Sequence, residues 1–404
     1  MAASTETKQP STSLGAELGQ RVRANLQTIT IVLAWVAIVA IFSILASLEG
    51  KVFLSPQNVS NLFRQMTVTS FLAMGMVFVI VTGNIDLSVG KLAGFVSVVA
   101  AYFQATIWYK LIPDQPMIAA ILSVIVGLLV GTLAGVLQGS IIAYLRVPAF
   151  IVTLGGMFIL TGLILLVTQG KTIPANQPGF SYIAQGYLPA IVGWILAALI
   201  ILFLFWNMFR SRQRKRKYGF ELSSLTIDLI VNGVFSLVVI GFMYLVNQYQ
   251  GLPFPVLLMF ITAGIMTYVA NNTRFGRYAY AIGGNREAAR LSGINIRRTI
   301  FLIFVLMGFL SGLAGVVLAS YVGYGTIAAG QGYELDAIAA AILGGTSTLG
   351  GVGTVFGALI GSLIMATLSN GLQILDTPPA WQPIVKGIVL VLAVLIDVYF
   401  RKNR

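Results

Sequence analysis

Gly283-Gly-Asn-Arg-Glu-Ala-Ala-Arg-Leu-Ser-Gly-Ile-Asn-Ile-Arg-Arg298 is a polar, basic stretch set in an otherwise oily part of the chain. Its charges cannot lie in hydrocarbon, so the apolar runs on either side read as separate membrane spans. The stretch carries the signals of a short helix. Asn285 suits the N-cap, where its side-chain oxygen can accept a backbone N–H two or three residues on. Glu287 falls in the first turn and Arg290 near the last, the ends at which the helix dipole favours those charges. Gly293 can adopt the left-handed conformation that terminates a helix. About seven helical residues, roughly 10 Å, result. Such a helix is too short to persist alone in water and needs a surface to rest on. An isolated polar helix between two spans therefore suggests docking to a soluble partner. The plain alternative is a solvated, positively charged turn.

Working outward, the composition settles the solvent. Hydrophobic residues make up 57% of the 404 and charged residues 9%, with a mean hydropathy of +0.91. Soluble domains carry about a quarter charged residues. The chain is an all-α integral membrane protein, a polytopic helical bundle. Cys and His are both absent, which excludes disulfides, thiol chemistry, imidazole catalysis and His-ligated metal sites. The net charge of +13 needs no nucleic-acid partner, because the basic residues cluster in a few connecting segments, as the positive-inside rule expects.

Residues 1–27 read as a disordered cytoplasmic tail, polar and without the apolar core of a secretory signal. Thr28 to Leu48 is a charge-free run of 21 residues and the first span. Ser55 to Met66 is amphipathic and leads into a second span ending near Val81. Further spans follow at about 90–108, 116–143, 147–168, 187–209, 227–246, 253–270, 299–322, 354–375 and 384–400. Between the sixth and seventh lies Arg210-Ser-Arg-Gln-Arg-Lys-Arg-Lys217, read as a cytoplasmic basic loop with six basic residues in eight. It anchors topology, and anionic lipid head groups could also bind it. The run 337–349 is apolar but short. If it counts as a crossing, the four basic regions (the N-terminus, 210–217, 274–298 and 401–404) are separated by even numbers of spans. About twelve crossings, with both termini cytoplasmic, follow. Glycines at 127, 131, 135 and 139, at 308 and 312, and at 353, 357 and 361 form narrow stripes through which helix backbones can approach closely.

No catalytic constellation is present, and no Gly-x-x-x-x-Gly-Lys-Ser/Thr phosphate loop. No cofactor and no metal site are expected. Two Gly/Ser/Thr-rich interruptions stand out, Thr82 to Gly90 and Gly344 to Gly353. Paired broken helices point to a translocation site in a transporter. Thr82, Asn84, Asp86, Ser88, Thr346 and Ser347 are the candidates for that path, with hydroxyls and an amide suited to a neutral polyol. Equally, both segments read as turns at the inner face, with Asp86 capping the third span and Lys91 and Arg64 snorkelling outward.

Six motifs carry a resemblance that covers nearly the whole chain. They are Asn58-Val-Ser-Asn-Leu-Phe-Arg-Gln65, Ile85-Asp-Leu-Ser-Val-Gly90, Val147-Pro-Ala-Phe-Ile-Val-Thr-Leu154, Ala281 to Asn295, Glu334-Leu-Asp-Ala-Ile-Ala-Ala340 and Gly344 to Gly353. In this order they resemble the permease family of bacterial sugar ABC importers, the ribose/xylose type. The 210–217 segment with its extra span resembles an insertion of the xylose type, and Asn84 stands where the family favours Gly or an acid. The resemblance implies a type II ABC-importer-like permease domain over residues 28–400, in the bacterial cytoplasmic membrane. It implies a second permease chain, as a homodimer, two ABC ATPase subunits that hydrolyse the ATP, an extracytoplasmic sugar-binding protein and surrounding membrane lipids. The 283–298 segment would be the ATPase-docking loop, with Asn285, Glu287, Ala288, Ala289, Arg290 and Gly293 in its helix. Ala288 and Ala289 would allow close approach to the partner. An ion-coupled secondary transporter or a passive channel is the competing reading.

Overall fold

The computed structural model describes residues 26–220 and 224–402. Most of the expected N-terminal tail, and Asn403 and Arg404, lie outside the described residues. Among the described residues, ten helices are long and apolar enough to cross a bilayer. In chain order the helices are α1 (Leu26–Leu48), α2 (Pro56–Val81), α3 (Val89–Leu111), α4 (Pro116–Ala143), α5 (Ala149–Thr168), α6 (Pro178–Gln185), α7 (Ala190–Lys217), α8 (Leu225–Asn247), α9 (Phe254–Asn272), α10 (Arg274–Gly284), α11 (Arg286–Leu291), α12 (Ile296–Val322), α13 (Tyr333–Leu343), α14 (Val355–Ile374) and α15 (Trp381–Lys402). Residues 103–108 form a π-helical turn inside α3.

The helices begin where the sequence supplies starts. Ser55 Oγ accepts from the Asn58 amide at 3.3 Å, and Pro56 takes the first helical position, where no N–H is required. Thr354 does the same for α14, accepting from Gly357 N at 2.9 Å. The amphipathic 55–66 segment is not a separate element. It is the first half of α2, which runs unbroken for 26 residues.

Three helices form the centre. Within their apolar windows α2 is 89% buried, α14 72% and α12 67%, against 17% for each of α5, α7 and α8. The peripheral helices turn large apolar side chains outward, Leu202, Leu237 and Phe158 among them, as lipid-facing surfaces must. The glycine stripes do the central packing. A Cβ on Gly131 would lie 2.5 Å from the Gly308 carbonyl oxygen, and one on Gly308 2.4 Å from that of Gly131. The stripe on α14 works in the same way, with a Cβ on Gly361 meeting the Ala340 oxygen at 1.9 Å.

Two short ribbons close one end of the bundle. β1 (Ile173–Pro174) pairs antiparallel with β4 (Tyr324–Gly325), and β2 (Tyr187–Leu188) with β3 (Leu252–Pro253). At the opposite end, called the basic end here, lie the C-terminus of α7 and helices α10 and α11. The run 210–217 is not a loop. It continues α7 as helix to Lys217, which places its basic side chains at a helix C-terminus, where the dipole favours them.

The short apolar segment does connect the two ends. Tyr324 pairs with Pro174 at the ribbon end, whereas the Gly351 amide donates to the Val81 carbonyl at 2.8 Å at the basic end. Between them the chain passes through a glycine-rich loop, the 11-residue α13 and a second loop. The helix supplies about 16 Å of rise, roughly half of a hydrocarbon core. Loop backbone supplies the rest and is tolerated because it is enclosed by α3 and α14.

Candidate functional site

The quoted polar stretch folds as the second half of a helix pair. α10 is capped by Thr273, whose hydroxyl accepts from Gly276 N at 3.2 Å. Gly283 and Gly284 finish this helix. Asn285 closes it and opens the next, its Oδ1 accepting from Ala288 N at 2.9 Å. α11 is six residues long and ends in paired backbone bonds, Gly293 N to Arg290 O at 3.0 Å and Ile294 N to Ala289 O at 3.1 Å, with Gly293 at φ +80°. That is a Schellman motif, for which glycine is the favoured residue. Glu287 and Arg290 pair on the outer surface through the Arg290 Nε and Nη2 groups, and both side chains are about two-thirds exposed. Ala288 is exposed, whereas Ala289 is buried within the chain and is not available to a partner. Leu291 is 77% exposed.

This helix pair is fastened to the bundle. A Cβ on Gly283 would sit 1.7 Å from the Val81 oxygen and 2.5 Å from the Gly351 nitrogen, so only glycine permits the approach. Tyr280 Oη donates to the Gly353 carbonyl at 2.8 Å. Burial raises the Tyr280 phenol above its ordinary range. The end of α2, the 344–353 loop and α10 thus form one block. The loop presents Leu349, 79% exposed, and Val352 on its surface. Leu291, Leu349 and Val352 carry no motif that marks them in the sequence. Their signal was an apolar residue in a polar turn.

The six residues proposed for the path fall into two groups, with Thr82, Asn84, Thr346 and Ser347 where the 344–353 loop meets the end of α2. Thr82 Oγ1 donates to the Val79 carbonyl at 2.9 Å, and Asn84 Nδ2 donates to Thr82 Oγ1 at 3.1 Å, so both finish α2. Ser347 closes its own loop: its N–H donates to the Val352 carbonyl at 2.8 Å and its Oγ accepts from Leu349 N at 3.1 Å. Thr346 is fully buried against Gly353. Asp86 and Ser88 lie elsewhere. Asp86 Oδ1 accepts from the Ser88 amide at 2.8 Å and from its hydroxyl at 2.7 Å, and Ser88 Oγ lies 3.0 Å from Gln138 Oε1. Asp86 therefore closes the turn that leads into the start of α3, whose N-cap residue is Ser88. That start is deep: a Cβ on Gly156 would lie 3.5 Å from Ser88 Cβ, and Gly156 is about 10 Å along α5 from Ala149.

The partner of this break is not 344–353 but 323–332. A Cβ on Gly330 would meet the Gly90 oxygen at 1.9 Å, and one on Gly94 the Ala329 oxygen at 2.2 Å. The N-termini of α3 and α13 thus converge inside the bundle, with Glu334 tucked against Gly90. The glycines at 323, 325, 330 and 332 were the available signal. Lys386 of α15 reaches Asp336 of α13 at 2.7 Å and holds the half-helix from its other side.

At the ribbon end an open cleft of about 550 Å³ lies over the mouth of the central helices. Asn58 of α2 and Asn370 of α14 exchange reciprocal amide bonds at 2.9 Å. Arg64 does not snorkel into lipid. Its guanidinium sits between Tyr187 and Tyr321, 5.5 and 5.4 Å from the ring centroids, and donates to the Ala184 carbonyl at 3.1 Å and Tyr187 Oη at 3.0 Å. Gln65 donates weakly to Gln373 across the cleft, at 3.4 Å.

Comparison with known proteins places this architecture. The chain is 42% identical to the xylose transport system permease protein of Haemophilus influenzae, over 94% of this chain and 98% of that one. It is 42% identical to the corresponding Escherichia coli K12 protein, over 92% of both. The ribose import permease protein of Bacillus subtilis is 35% identical over 88% of this chain and 89% of its own length. No solved structure matches. The profile described as branched-chain amino acid transport system / permease component matches residues 58–394, and the chain belongs to that permease family.

Proposed function

We propose that this chain is the membrane-spanning subunit of an ATP-driven, binding-protein-dependent importer of a monosaccharide, D-xylose or a related pentose. The observation that carries this reading is the 42% identity to xylose permeases, which extends through 98% of one relative's length. The geometry agrees with it. A capped, exposed helix fastened rigidly to central helix α2 is suited to receive force from a separate subunit and pass it to the bundle. The basic end then faces the cytoplasm, with both termini, and two ATPase subunits dock there on α10 and α11. A sugar-binding protein delivers substrate at the ribbon end. Two copies of the chain form the pathway in the bacterial cytoplasmic membrane, and ATP hydrolysis belongs to the partner subunits. Closure of the ATPases would push the docking helices, and alternating access would follow from the coupled motion of α2, the 344–353 loop and the half-helix α13.

The test is uptake of labelled pentoses by cells expressing the chain with its transport partners. Uptake that collapses on ATP depletion and survives dissipation of ion gradients is expected. Uptake that follows the ion gradient, or that proceeds without either energy source, would replace this reading with a secondary transporter or a channel.

A further inference from the structure

The cleft at the ribbon end has a composition that an ordinary helix-packing face does not need. Six carboxamides line it, at Asn58, Asn61, Gln65, Gln185, Asn370 and Gln373, together with the Arg64 guanidinium and no carboxylate. Some of these groups are structural. Asn58 and Asn370 satisfy one another and fix α2 against α14, and Gln185 Nε2 donates to the Ser320 carbonyl at 3.0 Å. The others keep unused capacity. Asn61 makes no side-chain hydrogen bond among the described residues. Gln65 and Gln373 share a single bond near the limit of length. Arg64 is oriented by two tyrosines and a carbonyl through Nε and Nη1, leaving the donors of Nη2 without a partner among the described residues.

We infer that this cleft is a saccharide-binding station at the mouth of the pathway, in which Asn61, Gln65, Gln373 and Arg64 recognise hydroxyl groups. The inference rests on the importer reading above. Each carboxamide offers both a donor and an acceptor, and each sugar hydroxyl is both donor and acceptor. A zwitterionic amino acid would bring an ammonium group that no lining carboxylate could neutralise, and an unpaired charge is costly to desolvate. A volume of about 550 Å³ falls within the range of roughly 300–1,000 Å³ usual for small-molecule sites. The position fits as well. The cleft lies over α2, α12 and α14, the central helices, at the end opposite the docking block, where a sugar released from a delivery protein would first meet the permease. The Gln65–Gln373 contact opens at little cost when a ligand takes its place.

The test uses the complete importer in proteoliposomes, with permease, ATPase and binding protein, and reads D-xylose uptake and ATP hydrolysis together. Asn61→Leu and Gln373→Leu, singly and combined, keep side-chain bulk and remove hydrogen bonding. The expected result is at least a tenfold rise in ATP hydrolysed per sugar transported, with Gln373→Asn falling between wild type and Gln373→Leu. A purely structural defect lowers uptake and hydrolysis in parallel and leaves their ratio fixed, which would overturn the assignment. Dissociation of the permease pair in the double variant would also overturn it, making the cleft a contact between copies. A wild type that transports no pentose on ATP would remove the importer reading itself, and this site with it.

Discussion

Gly308 shows how a single atom decides the fit of the central helices. Its Cα faces Gly131 and Gly135 so closely that a Cβ would collide with backbone, not with a side chain that could rotate away. Overpacking in such a place costs typically about 1–3 kcal/mol, and here neither helix can yield without the other. Gly308→Val is therefore expected to lose the monodisperse species in mild detergent and to lower the thermal midpoint of what remains. Gly264→Val, where nothing stands within 4 Å of the glycine, is the matched control and should leave both nearly unchanged. Equal behaviour of the two variants would show that close backbone approach does not hold α4 to α12. Gly293 is a different case. Space is open around it, but its φ of +80° penalises any side chain by about 1–2 kcal/mol. Gly293→Val should leave the bundle intact and loosen only the end of α11, read as faster amide hydrogen exchange at residues 291–294.

The proposed docking block is one element made from three segments, the end of α2, the 344–353 loop and the α10–α11 pair. Asn285→Ala removes the cap shared by α10 and α11 and should cost about 1 kcal/mol of local stability. For a six-residue helix that is enough to fray it. The expected outcome is faster exchange at residues 286–291 with the global melting point unchanged, and reduced capture of the ATPase. Leu349 belongs to the same surface through the Gly351–Val81 bond and the Gly283 contact. Glu287→Arg and Leu349→Glu should each weaken ATPase capture, and capture at the wild-type level by Leu349→Glu alone would restrict the docking surface to α11. Here the limits of the sequence are visible in physical terms. The cap at Asn285 and the stop at Gly293 are local chemistry, readable within one turn of chain. So were the glycine stripes, because their spacing of four is a property of a single helix. The identity of the second broken element was not readable, because it depends on which glycine meets Gly90 from a segment some 240 residues away. The carboxamide cleft was hidden for the same reason. Asn58, Asn61 and Gln65 recur at helical spacing in an amphipathic run, but Asn370 and Gln373 join them only through tertiary packing. The basic 210–217 run was placed correctly at a bundle end and misread as a loop, since charge reports solvation and not backbone conformation.

For the molecule as a whole, the arrangement of ends is the property from which mechanism follows. In the proposed orientation the basic end faces the cytoplasm, as the positive-inside rule expects, and the structure adds that Leu349 lies at that end with α10 and α11. That placement requires residues 323–354 to carry the chain from one face to the other, although α13 spans only about half of the hydrocarbon by its own length. Had this segment merely dipped in and returned, Leu349 would share a face with Lys171, Ala380 would lie on the other face, and the C-terminal helix would run the other way. The absence of cysteine in the natural sequence makes the distinction direct. Single cysteines at Lys171, Lys215, Leu349 and Ala380 can be challenged in intact cells with a membrane-impermeant maleimide. Lys171→Cys and Ala380→Cys should react from outside, whereas Lys215→Cys and Leu349→Cys should react only after permeabilisation. Labelling of Leu349→Cys from outside would separate the 344–353 loop from the docking block. The half-helix α13 could then no longer transmit motion from the ATPase side to the interior junction of Gly90 and Gly330. With Leu349 protected, the proposed force path, from the exposed Glu287–Arg290 surface through Gly283 and Val81 into α2, would lie on one continuous scaffold that ends at the carboxamide cleft on the opposite face.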